Sequence, residues 1–155
     1  MSTDNSPTLL KLLVQAADAV ERELDRELRA ELGPELRPAH YAVFRYLEPA
    51  GTRVTALADA AGITQQSMGE LVTHLERCGY VERRPDPADG RARLVVATAA
   101  GGTALAVAGE CLRRIEAAIS AELGGAALAE VRAALARIPA AIAVWPVEPV
   151  TRVLT

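Results

Sequence analysis

Between residues 64 and 77 the chain carries Thr64, Gln65, Gln66, Ser67, Glu70 and Thr73, side chain types that can exchange hydrogen bonds with base edges. A glutamine amide bonds bidentately to adenine, a carboxylate accepts from the N4 amine of cytosine, and serine serves a base or a phosphate. Gly69 lets backbone come close to a groove wall. With Leu71 at the origin and about 100° per residue, Met68, Leu75 and Cys78 fall on one side of a helix. Gln66, Glu70, Thr73 and Arg77 fall opposite, with Gln65, Gly69 and His74 nearer the flanks.

A second group is cationic. Arg83, Arg84, Arg91 and Arg93 flank the turn-forming stretch Pro85-Asp86-Pro87-Ala88-Asp89-Gly90. An arginine at a hairpin tip can enter a narrow, electronegative minor groove, and Arg91, just after Asp89-Gly90, occupies that place. Arg83, Arg84 and Arg93 suit phosphate contacts or support of the hairpin. For Arg84 and Arg93 a solvated strand pair facing Glu82 accounts equally well for the residues.

A third group lies earlier. The chain has five aromatic residues, and Tyr41, Phe44 and Tyr46 are three of them, interleaved with His40 and Arg45. Val43 and Phe44 can be core with the rest half-exposed. Alternatively, His40, Tyr41, Phe44 and Arg45 line an aromatic cleft with a cation or hydrogen-bonding group at its mouth.

His74 and Cys78 stand four apart, the spacing of a nucleophile with its base or of two metal ligands. Cys78 lies on the apolar stripe at a helix C-terminus, whose dipole disfavours thiolate. No third partner is near in sequence. Cys111 sits on a helix flank with no cation until Arg113. There is no Gly-rich phosphate loop and no metal-ligand pattern, so neither an enzyme nor a cofactor or metal is expected.

These groups need elements to hold them. Ser6-Pro7 can open a helix, and Leu10, Leu13, Ala17, Val20, Leu24 and Leu28 mark its apolar stripe as far as Gly33-Pro34. At roughly 25 residues it would be about 37 Å long, enough to pack on something beyond its own domain. Arg37-Pro38 opens a helix through Leu47. A short helix around Leu57, Ala58 and Ala61 turns through Gly62 and Ile63 into a helix capped by Thr64, with Met68, Leu71, Leu75 and Cys78 inward and Gly79 at its end. Residues 80–84 and 93–97 are β-prone. Thr98 caps a helix with the stripe Leu105, Ala108, Leu112, Ile115 and Ile119. A further stripe, Leu128, Val131, Leu135 and Ile138, keeps its phase through Ile142 and Trp145, so a kink at Pro139 is preferred to a stop there.

The fold expected is mainly α (α+β): a winged helix-turn-helix over residues 37–97. Helical dimerisation regions would occupy 6–33 and 98–145, and an extended tail 146–155. Two-fold pairing would bury terminal stripes that a monomer leaves wet. Its partner would be double-stranded DNA with an inverted-repeat operator, read in successive major grooves about 34 Å apart.

With 155 residues, half of them apolar, the chain can build one core. A net charge of -3 argues against indiscriminate nucleic-acid binding but leaves room for a local basic surface. The N-terminus lacks a signal peptide and no apolar run reaches membrane-span length, so a cytoplasmic protein without membrane association is expected. Two cysteines imply no disulfide framework.

Leu57-Ala58, Gly62, Leu75-Glu76, Gly79-Tyr80-Val81-Glu82-Arg83-Arg84, Asp86-Pro87, Asp89-x-Arg91 and Thr98-x-x-Gly101 together resemble the MarR family of transcriptional regulators. The hairpin RRPDPADGR is the most diagnostic part. The resemblance implies a homodimeric regulator, a repressor rather than an activator, that binds small aromatic or anionic effectors between the Tyr41 helix and the dimerisation helices. It also implies that Asp89 braces Arg91. Glu70 and His74 depart from the family pattern, where basic residues are common, which implies weaker phosphate binding and a different half-site. Rival readings are a winged helix that binds protein, favoured by the acidic charge, and a thiol-based redox sensor. Redox-sensing members usually carry their cysteine near the N-terminus, where this chain has none.

Overall fold

The computed structural model describes residues 6–144, which form two compact units divided after Ile115. The chain runs α1 (Leu9–Leu32), α2 (Pro38–Tyr46), α3 (Val54–Ala61), α4 (Gln65–Arg77), β1 (Val81–Asp86), β2 (Asp89–Ala97), α5 (Ala99–Leu123) and α6 (Gly125–Ala143). The six helices and antiparallel hairpin are the expected mainly α winged helix-turn-helix. Trp145 and the tail 146–155 lie outside the described residues.

α1 starts two residues later than Ser6 would place it. Thr8 is the N-cap, its hydroxyl accepting from the Lys11 amide at 3.3 Å. Of the stripe along α1 only Leu24 and Leu28 are buried, while Leu9, Leu10, Leu12 and Val14 are exposed. The C-terminal half is tied to α5, where Arg114 bonds Glu27 at 2.5 Å and approaches Glu31 at 3.8 Å.

The core of the first unit sits where α2, α3 and α4 meet the hairpin. Val43, Phe44, Leu57, Ala58, Met68, Val72, Leu75, Val81 and Val95 are all buried. Full burial of each valine, leucine, methionine or phenylalanine among them contributes ~1.5–3 kcal/mol. The inward face of α4 is rotated toward Val72, which is fully buried, whereas Leu71 is half-buried and Cys78 is the C-cap beyond the last turn. The helix stops there because Gly79 takes φ 80°. The Gly79 amide bonds the Glu76 carbonyl and the Tyr80 amide bonds that of Leu75, at 3.0 and 2.9 Å. This two-bond cap needs a left-handed residue, which glycine adopts without a Cβ clash.

The strands reach further toward the tip than residues 80–84 and 93–97, while β1 begins at Val81, after Tyr80. Pairing continues to Asp86↔Asp89, with a bulge after Pro85, so the connecting turn is only Pro87-Ala88. Thr52 joins the sheet through a reciprocal pair of bonds with Val95, at 3.0 and 2.9 Å.

Thr98 caps α5 as expected, its hydroxyl accepting from the Gly101 amide at 3.1 Å and donating to the Gly79 carbonyl at 2.6 Å. The buried face of α5 is a correction. Gly101, Ala104, Ala108, Cys111 and Ile115 turn inward, and Leu105 and Leu112 are exposed. Small residues let the helix approach closely: a Cβ on Gly101 would lie 1.9 Å from the Tyr80 carbonyl oxygen.

The second unit comprises the end of α5 and α6. Arg132 pairs with Glu116 at 2.5 Å. α6 is one unbroken helix through Pro139, so the preserved phase of its stripe marks a continuing helix and not a stop. None of its residues is buried, and Val131, Leu135 and Ile142 are exposed.

Candidate nucleic-acid interface

α4 is held at its start by chemistry that was local in the sequence. The Thr64 hydroxyl accepts from the Ser67 amide at 3.1 Å and donates to the Ser67 hydroxyl at 2.9 Å. Thr64 is thus occupied as a cap, while Ser67 and Gln65 are exposed beside it. Gln66, Glu70, Thr73 and Arg77 form the outward face. Together with Gly69 and Arg83 they line a groove of about 360 Å3. Gln66 Nε2 donates to a Glu70 oxygen at 3.3 Å, leaving the glutamine's carbonyl oxygen and second N–H for another partner.

His74 is not on this face. Its ring stacks on His40 with centroids 4.3 Å apart, and Nε2 donates to the Glu35 carbonyl at 2.7 Å. The half-buried side chain joins α4 to α2, which corrects its placement among groove-facing residues. His40 in turn accepts the Arg37 amide on Nδ1 at 2.9 Å, closing the first turn of α2.

The four hairpin arginines have separate tasks. Arg83 clasps α4: its guanidinium pairs with Glu76 and donates to the Thr73 hydroxyl at 3.1 Å, and its amide bonds Glu76 at 3.2 Å. Arg84 pairs with Glu82 along the strand, the solvated arrangement weighed from its sequence. Arg93 is exposed opposite Pro85. Arg91 is exposed near the tip, and no ion pair engages its guanidinium among the described residues. Asp89 accepts the Arg91 backbone amide on Oδ1 at 3.1 Å, and its other carboxylate oxygen lies 3.8 Å from the Arg53 guanidinium.

Two residues of this region were absent from the sequence-based candidates. Asp86 is buried, accepting the Ala88 amide at 2.9 Å and the Arg53 Nε and Nη2 at 2.9 and 2.5 Å. The Ala88 amide and the Arg53 guanidinium hold its carboxyl below the usual carboxylate range. Asp-Pro-Ala-Asp carries a turn signal that points to Asp86. No local signal points to Arg53, 33 residues away. Arg77 also lines the groove and belongs with the outward face.

The α2 cluster divides. His40, Tyr41 and Phe44 are buried and Arg45 is exposed, so an aromatic cleft with Arg45 at its mouth is replaced by a packed core. Tyr41 and Phe44 rings lie 6.0 Å apart. The Tyr41 hydroxyl is buried without a hydrogen-bond partner, and desolvation pushes its pKa up. Phe44 alone of the four borders a groove of about 350 Å3, with Leu47, Pro49, Val96 and Leu105.

Neither thiol is activated. Cys78 lies 3.6 Å from His74 Nε2, but burial, with Glu35 adding to it, raises its pKa. Cys111 is fully buried rather than on a flank, and burial again raises its pKa against the pull of Arg114. Among the described residues no group of three or more His, Cys, Asp or Glu could hold a metal ion. No described helix is long and apolar enough to cross a membrane.

Residues 35–92, which contain α2 to α4 and most of the hairpin, match the sequence pattern of the MarR family. This segment is MarR-family. The transcriptional regulator HosA of Escherichia coli O111:H- is 40% identical over 76 residues, a match that spans 48% of this chain and 56% of HosA. About half the length of that curated relative is therefore covered. The MarR-type architecture extends further in solved structures. The transcriptional repressor CouR, bound to a 23-mer DNA duplex, is 27% identical, covers 88% of this chain and 92% of its own, and superposes with a TM-score of 0.70. A MarR-family protein of Mycobacterium tuberculosis in complex with salicylic acid is 26% identical, covers 88% of this chain and 99% of its own, and has a TM-score of 0.67.

Proposed function

We propose that this chain is a DNA-binding transcriptional regulator, a repressor, that acts as a homodimer in the cytoplasm on an inverted-repeat operator. The observation that carries the reading is the outward face of α4: Gln66, Gly69, Glu70, Thr73 and Arg77 in one groove, bordered by Arg83 from the hairpin. Amide, carboxylate and guanidinium side by side match the donor and acceptor pattern of a major groove. Arg91 at the hairpin tip adds a cation that reaches the flanking minor groove. The DNA-bound CouR supports this use of the shared fold.

Dimerisation is supported by the apolar residues a single chain leaves exposed, including Leu9 and Leu10 on α1, Leu105 and Leu112 on α5, and Val131 and Leu135 on α6. Burying one such side chain stabilises by ~1.5–3 kcal/mol, so a shared interface of several is substantial. Release by a small aromatic or anionic effector is proposed on the strength of the salicylic-acid complex of the mycobacterial relative. No catalytic role is assigned: burial raises the pKa of both thiols, and the exposed polar groups gather on one helix face that suits recognition.

Selection of bound sequences from a pool of random duplexes tests the reading. Recovery of an inverted repeat, bound with a steep dependence on salt, is the expected result. A chain that recovers nothing above background at low ionic strength is not a DNA reader, and a protein-binding winged helix would then take its place.

A further inference from the structure

The cation at the hairpin tip is useful only if the tip is held still. Arg53 is the N-cap residue of α3, outside both the reading helix and the hairpin. Its neighbour Thr52 is already bonded to Val95 at the hairpin base. Its guanidinium spans to the other end, donating to Asp86 Oδ2 from Nε and Nη2 at 2.9 and 2.5 Å and lying 3.8 Å from Asp89 Oδ2. The two aspartates hold the tip backbone: Asp86 Oδ1 accepts the Ala88 amide at 2.9 Å, and Asp89 Oδ1 accepts the Arg91 amide at 3.1 Å. Charge-assisted bonds therefore run from the start of the helix-turn-helix through Asp86 to the Ala88 amide, and a 3.8 Å ion contact to Asp89 extends the link to the backbone of Arg91. Such bonds are shorter and stronger than neutral ones, and the planar guanidinium fixes direction as well as distance.

We propose that Arg53 is a positioning residue for DNA recognition, locking the Asp86–Asp89 turn so that Arg91 is presented to the flanking groove in one orientation. The inference rests on the reading of the chain as a DNA-binding protein. Arg53 acts through Arg91 and need not touch the duplex itself. Removing it leaves the bulged tip, already short of ladder bonds, free to sample other conformations.

The test uses the full chain and a duplex recovered by the wild-type protein from a random pool. Arg53→Ala and Arg91→Ala are each expected to weaken binding about tenfold, the factor equivalent to ~1.4 kcal/mol. The double variant should be no more than about twofold weaker than Arg91→Ala, because a positioning residue has nothing left to position. Asp86→Asn should weaken binding in the same direction even though Arg53 is retained and freed. Hydrogen exchange at the Ala88 and Arg91 amides should quicken in Arg53→Ala while the core amides of α4 do not change. Additive losses approaching a hundredfold, or tighter binding by Asp86→Asn, would make Arg53 a phosphate contact and overturn the proposal. Unchanged binding by Arg53→Ala alone would also overturn it, while the DNA reading stood. Failure of the wild-type chain to recover any duplex would remove both.

Discussion

The imidazole rings of His40 and His74 stack with centroids 4.3 Å apart and planes inclined by 11°. Each ring has a fixed task on its outer side. His40 Nδ1 accepts the Arg37 amide, so it must be unprotonated, and His74 Nε2 donates to the Glu35 carbonyl, so it must carry its hydrogen. The stack joins α2 to the back of α4, and thus sets the seat of that helix.

Acid should loosen this joint. Burial, the facing His74 and Arg37 depress the pKa of His40 below its ordinary 6.5. A base with a lowered folded pKa binds more protons unfolded than folded, so its contribution is present above pH 6.5 and is lost as pH falls toward the folded value. The melting temperature should therefore decline between pH 7.5 and 5.5. His40→Gln keeps an acceptor for the Arg37 amide and removes the titration, so its melting temperature should decline less over that interval. An identical decline in the variant would exclude His40 as the source.

Gly101 and Gly102 are adjacent glycines that should respond oppositely to alanine. A Cβ on Gly101 would strike the Tyr80 carbonyl at 1.9 Å, whereas one on Gly102 meets nothing within 4 Å. Gly101→Ala must push α5 off the hairpin base and should cost about 1–3 kcal/mol or more. Gly102→Ala only improves helix propensity and should stabilise by about 0.5–1 kcal/mol. Denaturant unfolding of the two variants measures both signs. A neutral Gly101→Ala would mean that α5 does not approach Tyr80 so closely.

The thiols should be inert at neutral pH. Cys78 and Cys111 both have raised pKa values, caused first by burial. Alkylation of the native protein at pH 7 should be at least about tenfold slower than that of a free cysteine, and should become fast on unfolding. Rapid modification of either residue in the folded protein would restore the redox-sensing reading.

What could be read in the sequence followed the range of the interactions. Thr64 as a cap and Gly79 as a stop were legible because each acts within one turn of its own helix. The outward set of Gln66, Glu70 and Thr73 followed from helical spacing alone. The buried face of α5 was misjudged because leucine was taken to mark the inside. Here the glycine and alanine face makes the close contact, and Leu105 and Leu112 are left outward. His74 was placed by its angle on the wheel, which cannot register that His40, from another helix, captures its ring. Arg53 was missed for the same reason, since its partner Asp86 is reached only through the bulged fold of the hairpin.

The central claim is that two copies of α4 read two half-sites set by one two-fold axis. Inserting about five base pairs between the half-sites of the selected repeat turns one half-site by roughly half a helical turn. Titration of the wild-type protein against the original and the expanded duplex measures the consequence directly. The account predicts two chains per original duplex and at least about a hundredfold weaker binding to the expanded one, since only one head can then engage. Equal affinity for both duplexes would contradict it.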